Sequence, residues 1–122
     1  MTHDEYLAHD ALGLAERVRS GDVTPGELLD IARDRTDRLN PTLNAVVYRM
    51  DDEAARSATV VDPDAPFAGV PFLAKDLLST HAGHPTTAAS RLLAGVAMPE
   101  DSELVRRVRR SGAPTFGETN LA

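Results

Sequence analysis

The stretch Gly69-Val70-Pro71-Phe72-Leu73-Ala74-Lys75-Asp76-Leu77 places a lysine and an aspartate directly after a run of apolar residues. Gly69 and Pro71 mark the start of this run, whose composition predicts a short buried strand. A lysine at the end of such a strand is costly to bury as a cation. Lys75 therefore either extends to solvent with Asp76 as a neighbour, or it is functional. On residue chemistry alone the structural role is favoured, because structural lysines outnumber catalytic ones.

The residues that follow Lys75 predict a helix and then a second strand. An irregular segment rich in Thr, Gly and Pro comes first. Asp101 is the expected N-cap of the helix, Gly112 its expected end, and residues 113–116 the next strand. Three apolar helix residues are expected to face the core: Leu104, Val105 and Val108. A strand–helix–strand order predicts a βαβ unit with neighbouring parallel strands.

The first half of the chain is predicted to be mainly helical. Asp10 is a candidate N-cap for a helix that stops at Gly21. Thr24-Pro25-Gly26-Glu27 has the pattern of a capping box with proline at the first helical position, and its helix is expected to end at Asn40-Pro41. A strand at 45–48, an Ala-rich helix at 51–58 and a loop at 62–66 complete the pattern. The predicted fold class is α/β, with N-terminal helices and a partial mixed sheet.

Several spaced motifs resemble those of the amidase signature family, serine hydrolases that cleave amides with a Ser–cis-Ser–Lys triad. Residues 69–77 resemble that family's lysine motif. Gly83-His84-Pro85-Thr86-Thr87-Ala88-Ala89-Ser90-Arg91-Leu92-Leu93 is similar to its Gly-x-Pro-Thr-Thr-x-Gly-Ser-x-x-Leu segment, and Gly117-Glu118-Thr119-Asn120 to its Gly-Lys-Thr-Asn turn. Residues 23–29 and 40–47 also fit. Within the family, residues 66–72 and the opening Asp10-Ala11 look most like the aminohexanoate cyclic-dimer hydrolases.

The chain also departs from that family's pattern. Ala89 stands where the family usually has glycine, and Glu118 where it usually has lysine. Both are backbone or supporting positions in this interpretation. None of the chain's serines lies in a Gly/Ser-rich turn of the kind that supplies the family's nucleophile. Residues 1–122 are therefore expected to be the N-terminal portion of an incomplete amidase signature fold, and the isolated chain is expected to be inactive.

The resemblance implies that Lys75 is the catalytic base of the complete enzyme, which would hydrolyse C–N bonds of small linear or cyclic carboxylic amides. A free lysine is almost entirely protonated at neutral pH, so such a base needs burial that other parts of the fold would supply. Two alternatives stay open. The chain could belong to an amidotransferase A subunit, which releases ammonia from glutamine for aminoacyl-tRNA. It could also be a non-catalytic, self-associating module.

Composition and motifs narrow the partners and the location. The formal net charge of −6 argues against nonspecific binding to nucleic acid or to an anionic membrane. The chain has no cysteine, and neither a signal peptide nor a membrane span is recognisable, so a cytoplasmic location is expected. His81 and His84 lack a third nearby ligand, and no nucleotide-binding motif follows a strand. We therefore expect neither metal nor cofactor.

A homo-oligomer is expected from the apolar surface of the predicted sheet. The few helices of this chain are not expected to cover every apolar side chain of the βαβ unit: Leu73, Val105, Val108 and Phe116. An uncovered sheet face or an open strand edge is a site of association.

Overall fold

The chain folds into helices packed on a small mixed sheet. The computed structural model describes residues 1–121, in which the elements are α1 (His3–Leu7), α2 (Ala11–Arg19), α3 (Pro25–Leu43), β1 (Val46–Arg49), α4 (Asp51–Ala58), β2 (Phe72–Lys75), α5 (Glu103–Arg110) and β3 (Thr115–Thr119). The strand order is β1-β3-β2, with β3 antiparallel to β1 and parallel to β2. This topology confirms the predicted α/β class and the βαβ unit.

The two predicted N-caps of the first long helices are confirmed. The Asp10 side chain accepts a hydrogen bond from the Gly13 amide at 2.8 Å and opens α2. Thr24 and Glu27 form the reciprocal capping box of α3, with Pro25 at its first position. Each cap satisfies amide groups that the first helical turn leaves without partners.

The predicted end of α3 at Asn40-Pro41 is wrong, because the helix continues through Pro41 to Leu43. The Asn40 side chain explains the extension. Its amide group donates to the Val46 carbonyl and accepts from the Val46 amide, both at 2.8 Å. These contacts hold the last helical turn against the start of β1 and offset the disfavoured helical conformation before proline. Asn44 then ends the helix in a left-handed conformation with φ 48°.

Two clusters of buried apolar residues in the described part of the chain are joined by α3. One contains Leu14, Ala15, Val23, Leu28 and Val70. The other contains Leu29, Ala32, Ala54 and Phe116. Successive residues of α3, Leu28 and Leu29, lie in different clusters, so this helix fixes the N-terminal helices relative to the sheet. Within residues 1–121, no helix is both long and apolar enough to cross a membrane.

Three details of the βαβ unit differ from the sequence prediction. Phe72, the first residue of the edge strand β2, is 40% exposed, whereas Ala74 in the same strand is buried as expected. Ser102, not Asp101, caps α5. The prediction that Leu104 faces the core is wrong: it is 51% exposed, while Val105 is buried.

Candidate functional site

Lys75 is the last residue of β2 and the only lysine in the sequence. It pairs in register with Thr119, the last residue of the parallel strand β3. In open sheets of this kind, ligands bind beyond the carboxyl ends of the strands. The side chain of Lys75 is exposed in the described structure. Residues 1–121 therefore place the amine at a typical site edge without burying it.

The backbone around Lys75 is fixed by hydrogen bonds on both sides. The Thr119 hydroxyl donates to the Ala74 carbonyl at 3.2 Å, and the Asp76 amide donates to the Thr119 carbonyl at 3.0 Å. The Leu77 amide donates to the carbonyl of Lys75 at 2.7 Å, which closes a tight turn directly after the strand. The backbone from which the Lys75 side chain extends is therefore held by the sheet and by this turn.

Asp76 does not serve as a solvent-side neighbour of Lys75. It is only 3% exposed. Its carboxylate accepts hydrogen bonds from the amide and hydroxyl of Thr87 and from the amide of Ala88. Thr87 in the Thr-rich loop therefore donates both its amide and its hydroxyl to Asp76. The sequence interpretation missed this contact between residues eleven positions apart.

The loop that Asp76 holds contains two alanines in left-handed conformations. The φ angles of Ala88 and Ala89 are 48° and 58°. Such angles are strained for residues other than glycine. The motif that this segment resembles has glycine at the position of Ala89. That glycine was the sequence signal that the loop takes a left-handed conformation here.

A cavity of about 300 Å³ lies between β2, β3 and α5. Lys75, Ser79 and His81 line it together with apolar residues such as Val105. The combination of an apolar wall with a few polar groups is typical of small-molecule sites. The structure thus brings Lys75 to the edge of a concave surface.

His81 and Glu118 form a buried pair next to this cavity. Each side chain is 1% exposed, and the His81 Nδ1 lies 3.4 Å from the Glu118 Oε1. A buried carboxylate is costly unless an opposite charge or hydrogen bonds offset it. His81 is the group that faces this carboxylate, but among the described residues neither Glu118 oxygen has a hydrogen-bond partner.

His84 belongs to a separate network that ties the loop to α4 and α5. Its Nε2 lies 2.6 Å from the Glu53 carboxylate, and Arg109 contacts both Glu53 and Asp101. Asp101 also accepts the Ala82 amide at 2.8 Å, which explains why it does not cap α5. No group of three or more potential metal ligands occurs in the described part of the chain.

The charges of this network shift the pKa values of its carboxyl groups. Burial alone would raise the pKa of Glu53, but hydrogen bonding and charge from Arg109, together with His84, hold it below its usual value. Burial likewise opposes ionisation of Asp101, yet the Ala82 amide and Arg109 lower its pKa. Both carboxylates are therefore stabilised in their ionised form.

The fold and the strand-end lysine define an α/β protein with a candidate site at the carboxyl edge of its sheet, and the comparisons identify the family. The family model described as Amidase matches residues 27–122, so the chain belongs to the amidase family. The A subunit of the glutamyl-tRNA(Gln) amidotransferase from Renibacterium salmoninarum is 36% identical over 96% of this chain. The 6-aminohexanoate-cyclic-dimer hydrolase of Paenarthrobacter ureafaciens is 34% identical over 93% of it.

Solved structures of amidases share the fold. The structure of a 6-aminohexanoate cyclic dimer hydrolase superimposes with a TM-score of 0.86 and 34% identity, and 92% of this chain is covered. That match covers 23% of the hydrolase, and the Renibacterium relative is covered over 24% of its length. The chain thus spans about a quarter of the length of these relatives.

Proposed function

We propose that this chain provides the general base of an amide-hydrolysing site, and that Lys75 is that base. The observation that carries the proposal is the position of the only lysine. It lies at the carboxyl end of a parallel strand, beside a cavity and within the region that matches the family. In this site Lys75 takes a proton from a serine hydroxyl, directly or through a second serine, as that serine attacks the amide carbonyl.

The serine partners belong to polypeptide outside these 122 residues. This part of the proposal is supported by the share of the relatives that the chain spans, about a quarter. A base must be neutral to accept a proton, and an exposed lysine is mostly charged at neutral pH. Covering the exposed Lys75 with further structure would favour the neutral form. We therefore expect the 122-residue chain to be inactive alone.

Two substrate classes fit the relatives. Similarity to the hydrolase from Paenarthrobacter favours small linear or cyclic amides as substrates. The alternative is glutamine hydrolysis by an amidotransferase A subunit, and several relatives carry that name. On that alternative the protein works in a complex with other subunits. Comparing the hydrolysis of a simple amide with that of glutamine separates the two classes.

The proposal is tested by measuring ammonia or amine release with the complete domain that contains this chain. Lys75→Met is expected to abolish turnover. Arg91→Met is the matched control, because it removes an exposed cation from the nearby loop. Full activity of Lys75→Met would refute the role of Lys75, and turnover by the 122-residue chain alone would refute the need for further residues.

Self-association of the chain stays a separate proposal. Val105 and Phe116, two of the residues on which it was based, are buried within the chain. Phe72 and Leu104 are exposed on the same unit, at 40% and 51%, and they favour an association surface there. Sedimentation velocity at micromolar concentration tests this. A homodimer that Leu104→Glu dissociates is expected, whereas a monomer at all concentrations would contradict it.

A further inference from the structure

We propose that Asp76 is a positioning residue, whose buried carboxylate holds a strained loop and thereby fixes the direction of Lys75. The connection to catalysis rests on the function proposed above for Lys75. The holding contact itself does not depend on that function.

The carboxylate of Asp76 is the acceptor for one side of the loop. Oδ1 accepts from the amides of Thr87 and Ala88, and Oδ2 accepts from the Thr87 hydroxyl. The side chain is almost fully buried, so water does not substitute readily for these donors. An asparagine side chain has the same size, and its oxygen could accept both amides while its NH₂ group donates to the Thr87 hydroxyl, which also accepts. What asparagine removes is the negative charge that strengthens these hydrogen bonds.

The segment held by Asp76 is strained. Ala88 and Ala89 both adopt positive φ angles, although Ala89 has an exposed side chain and no packing that would select this conformation. Strained backbone persists only when surrounding contacts impose it. The Ser90 amide donates to the Thr87 carbonyl at 2.8 Å and closes the turn that contains both alanines. Asp76 holds the first two residues of this turn, Thr87 and Ala88, through its side-chain hydrogen bonds.

Asp76 also connects this loop to the backbone of Lys75. Its own amide donates to the Thr119 carbonyl at 3.0 Å, and the adjoining turn is closed by the 2.7 Å bond from the Leu77 amide to the Lys75 carbonyl. Asp76 is therefore bonded to β3 through its backbone and to the loop through its side chain. Losing the side-chain contacts leaves these backbone bonds in place but removes the loop's hold on the turn that follows Lys75, so the turn loosens and the surroundings of the Lys75 side chain change.

Amide hydrogen exchange on the full 122-residue chain tests the holding contact. Asp76→Asn is expected to speed exchange of the Thr87 and Ala88 amides by at least about tenfold, since hydrogen bonds to charged groups are the stronger kind. Asp64→Asn, an exposed aspartate in another loop, is the matched control and should leave these amides unchanged. Unchanged exchange in Asp76→Asn would overturn the proposal.

The link between Asp76 and Lys75 is tested by following the NMR signal of the Lys75 amine. Because the chain has one lysine, reductive methylation with ¹³C gives one lysine signal besides that of the N-terminus. Thr87→Val keeps the Asp76 charge but removes the hydroxyl donor, so a shift of this signal reports position and not lost charge. We expect a shift in Asp76→Asn and a smaller one in Thr87→Val. If Asp76→Asn does not fold, Thr87→Val alone decides, and no shift there overturns the proposal.

Rescue by glycine separates positioning from general destabilisation. Ala89→Gly relaxes the strained loop, so in the Asp76→Asn background it should restore the Lys75 signal toward its native position.

In the complete domain, Asp76→Asn should lower kcat about tenfold with KM nearly unchanged. A changed KM with native kcat would overturn the link to Lys75. If Lys75→Met stays active while the exchange and NMR results hold, the proposed function fails and the holding contact stands.

Discussion

Replacing Ala89 by glycine should stabilise the protein, because glycine relieves a left-handed backbone. Residue 89 has φ 58°, and its side chain is exposed. This conformation costs an L-residue about 1–2 kcal/mol. Glycine loses roughly 0.5–1 kcal/mol more than alanine through conformational entropy on folding. The exposed methyl group contributes little packing, so the net gain is roughly 0.5–1 kcal/mol.

Urea unfolding followed by circular dichroism measures this gain. The midpoint should rise with an unchanged m value, and the melting temperature should rise by about 2–4 °C for a chain of this size. Ala55→Gly is the control of opposite sign. Ala55 is an exposed alanine within α4, where glycine costs about 1 kcal/mol. If Ala89→Gly destabilised the chain as much as Ala55→Gly does, residue 89 could not adopt the left-handed conformation.

Two further predictions concern the sheet and the loop network. Gly117→Ala should cost about 2–3 kcal/mol, because an added Cβ would lie 2.6 Å from the Tyr48 carbonyl oxygen in the neighbouring strand; an unchanged urea midpoint would contradict this packing. Acid should also weaken the fold. Arg109 lowers the pKa of Glu53, and the Ala82 amide together with Arg109 lowers that of Asp101. The stability that these two carboxylates contribute is therefore present above the unfolded-state pKa values of 4.5 and 3.8 and is lost as pH falls through the lower folded-state values. Urea midpoints measured from pH 6 to pH 3 should fall less steeply in Glu53→Gln, and an identical slope would contradict the network.

Features set by residues close in sequence were predictable. The capping box of α3 depends on Thr24 and Glu27, three positions apart, so its pattern is visible in the sequence. The end of α3 was not, because the side chain of Asn40 bonds the backbone of Val46 across the following turn. A prediction that ends a helix at proline takes no account of such a contact.

The site was predictable in its main residue but not in its support. Lys75 and its place at a strand end follow from the apolar run before it and from the resemblance of its motif. The place of β2 at the edge of the sheet was not predictable, because sequence order does not determine which strands are neighbours. The role of Asp76 depends on a loop that returns to it at Thr87, through a conformation that alanine disfavours.

Chemical rescue of Lys75→Ala tests the central claim most directly. The variant of the complete domain should lose amide hydrolysis, and added primary amines should restore part of it, with rates that increase with the basicity of the amine. Such a dependence is expected when an amine accepts a proton in the transition state. The same amines should not accelerate the native protein. Full activity of Lys75→Ala without any amine would contradict the account.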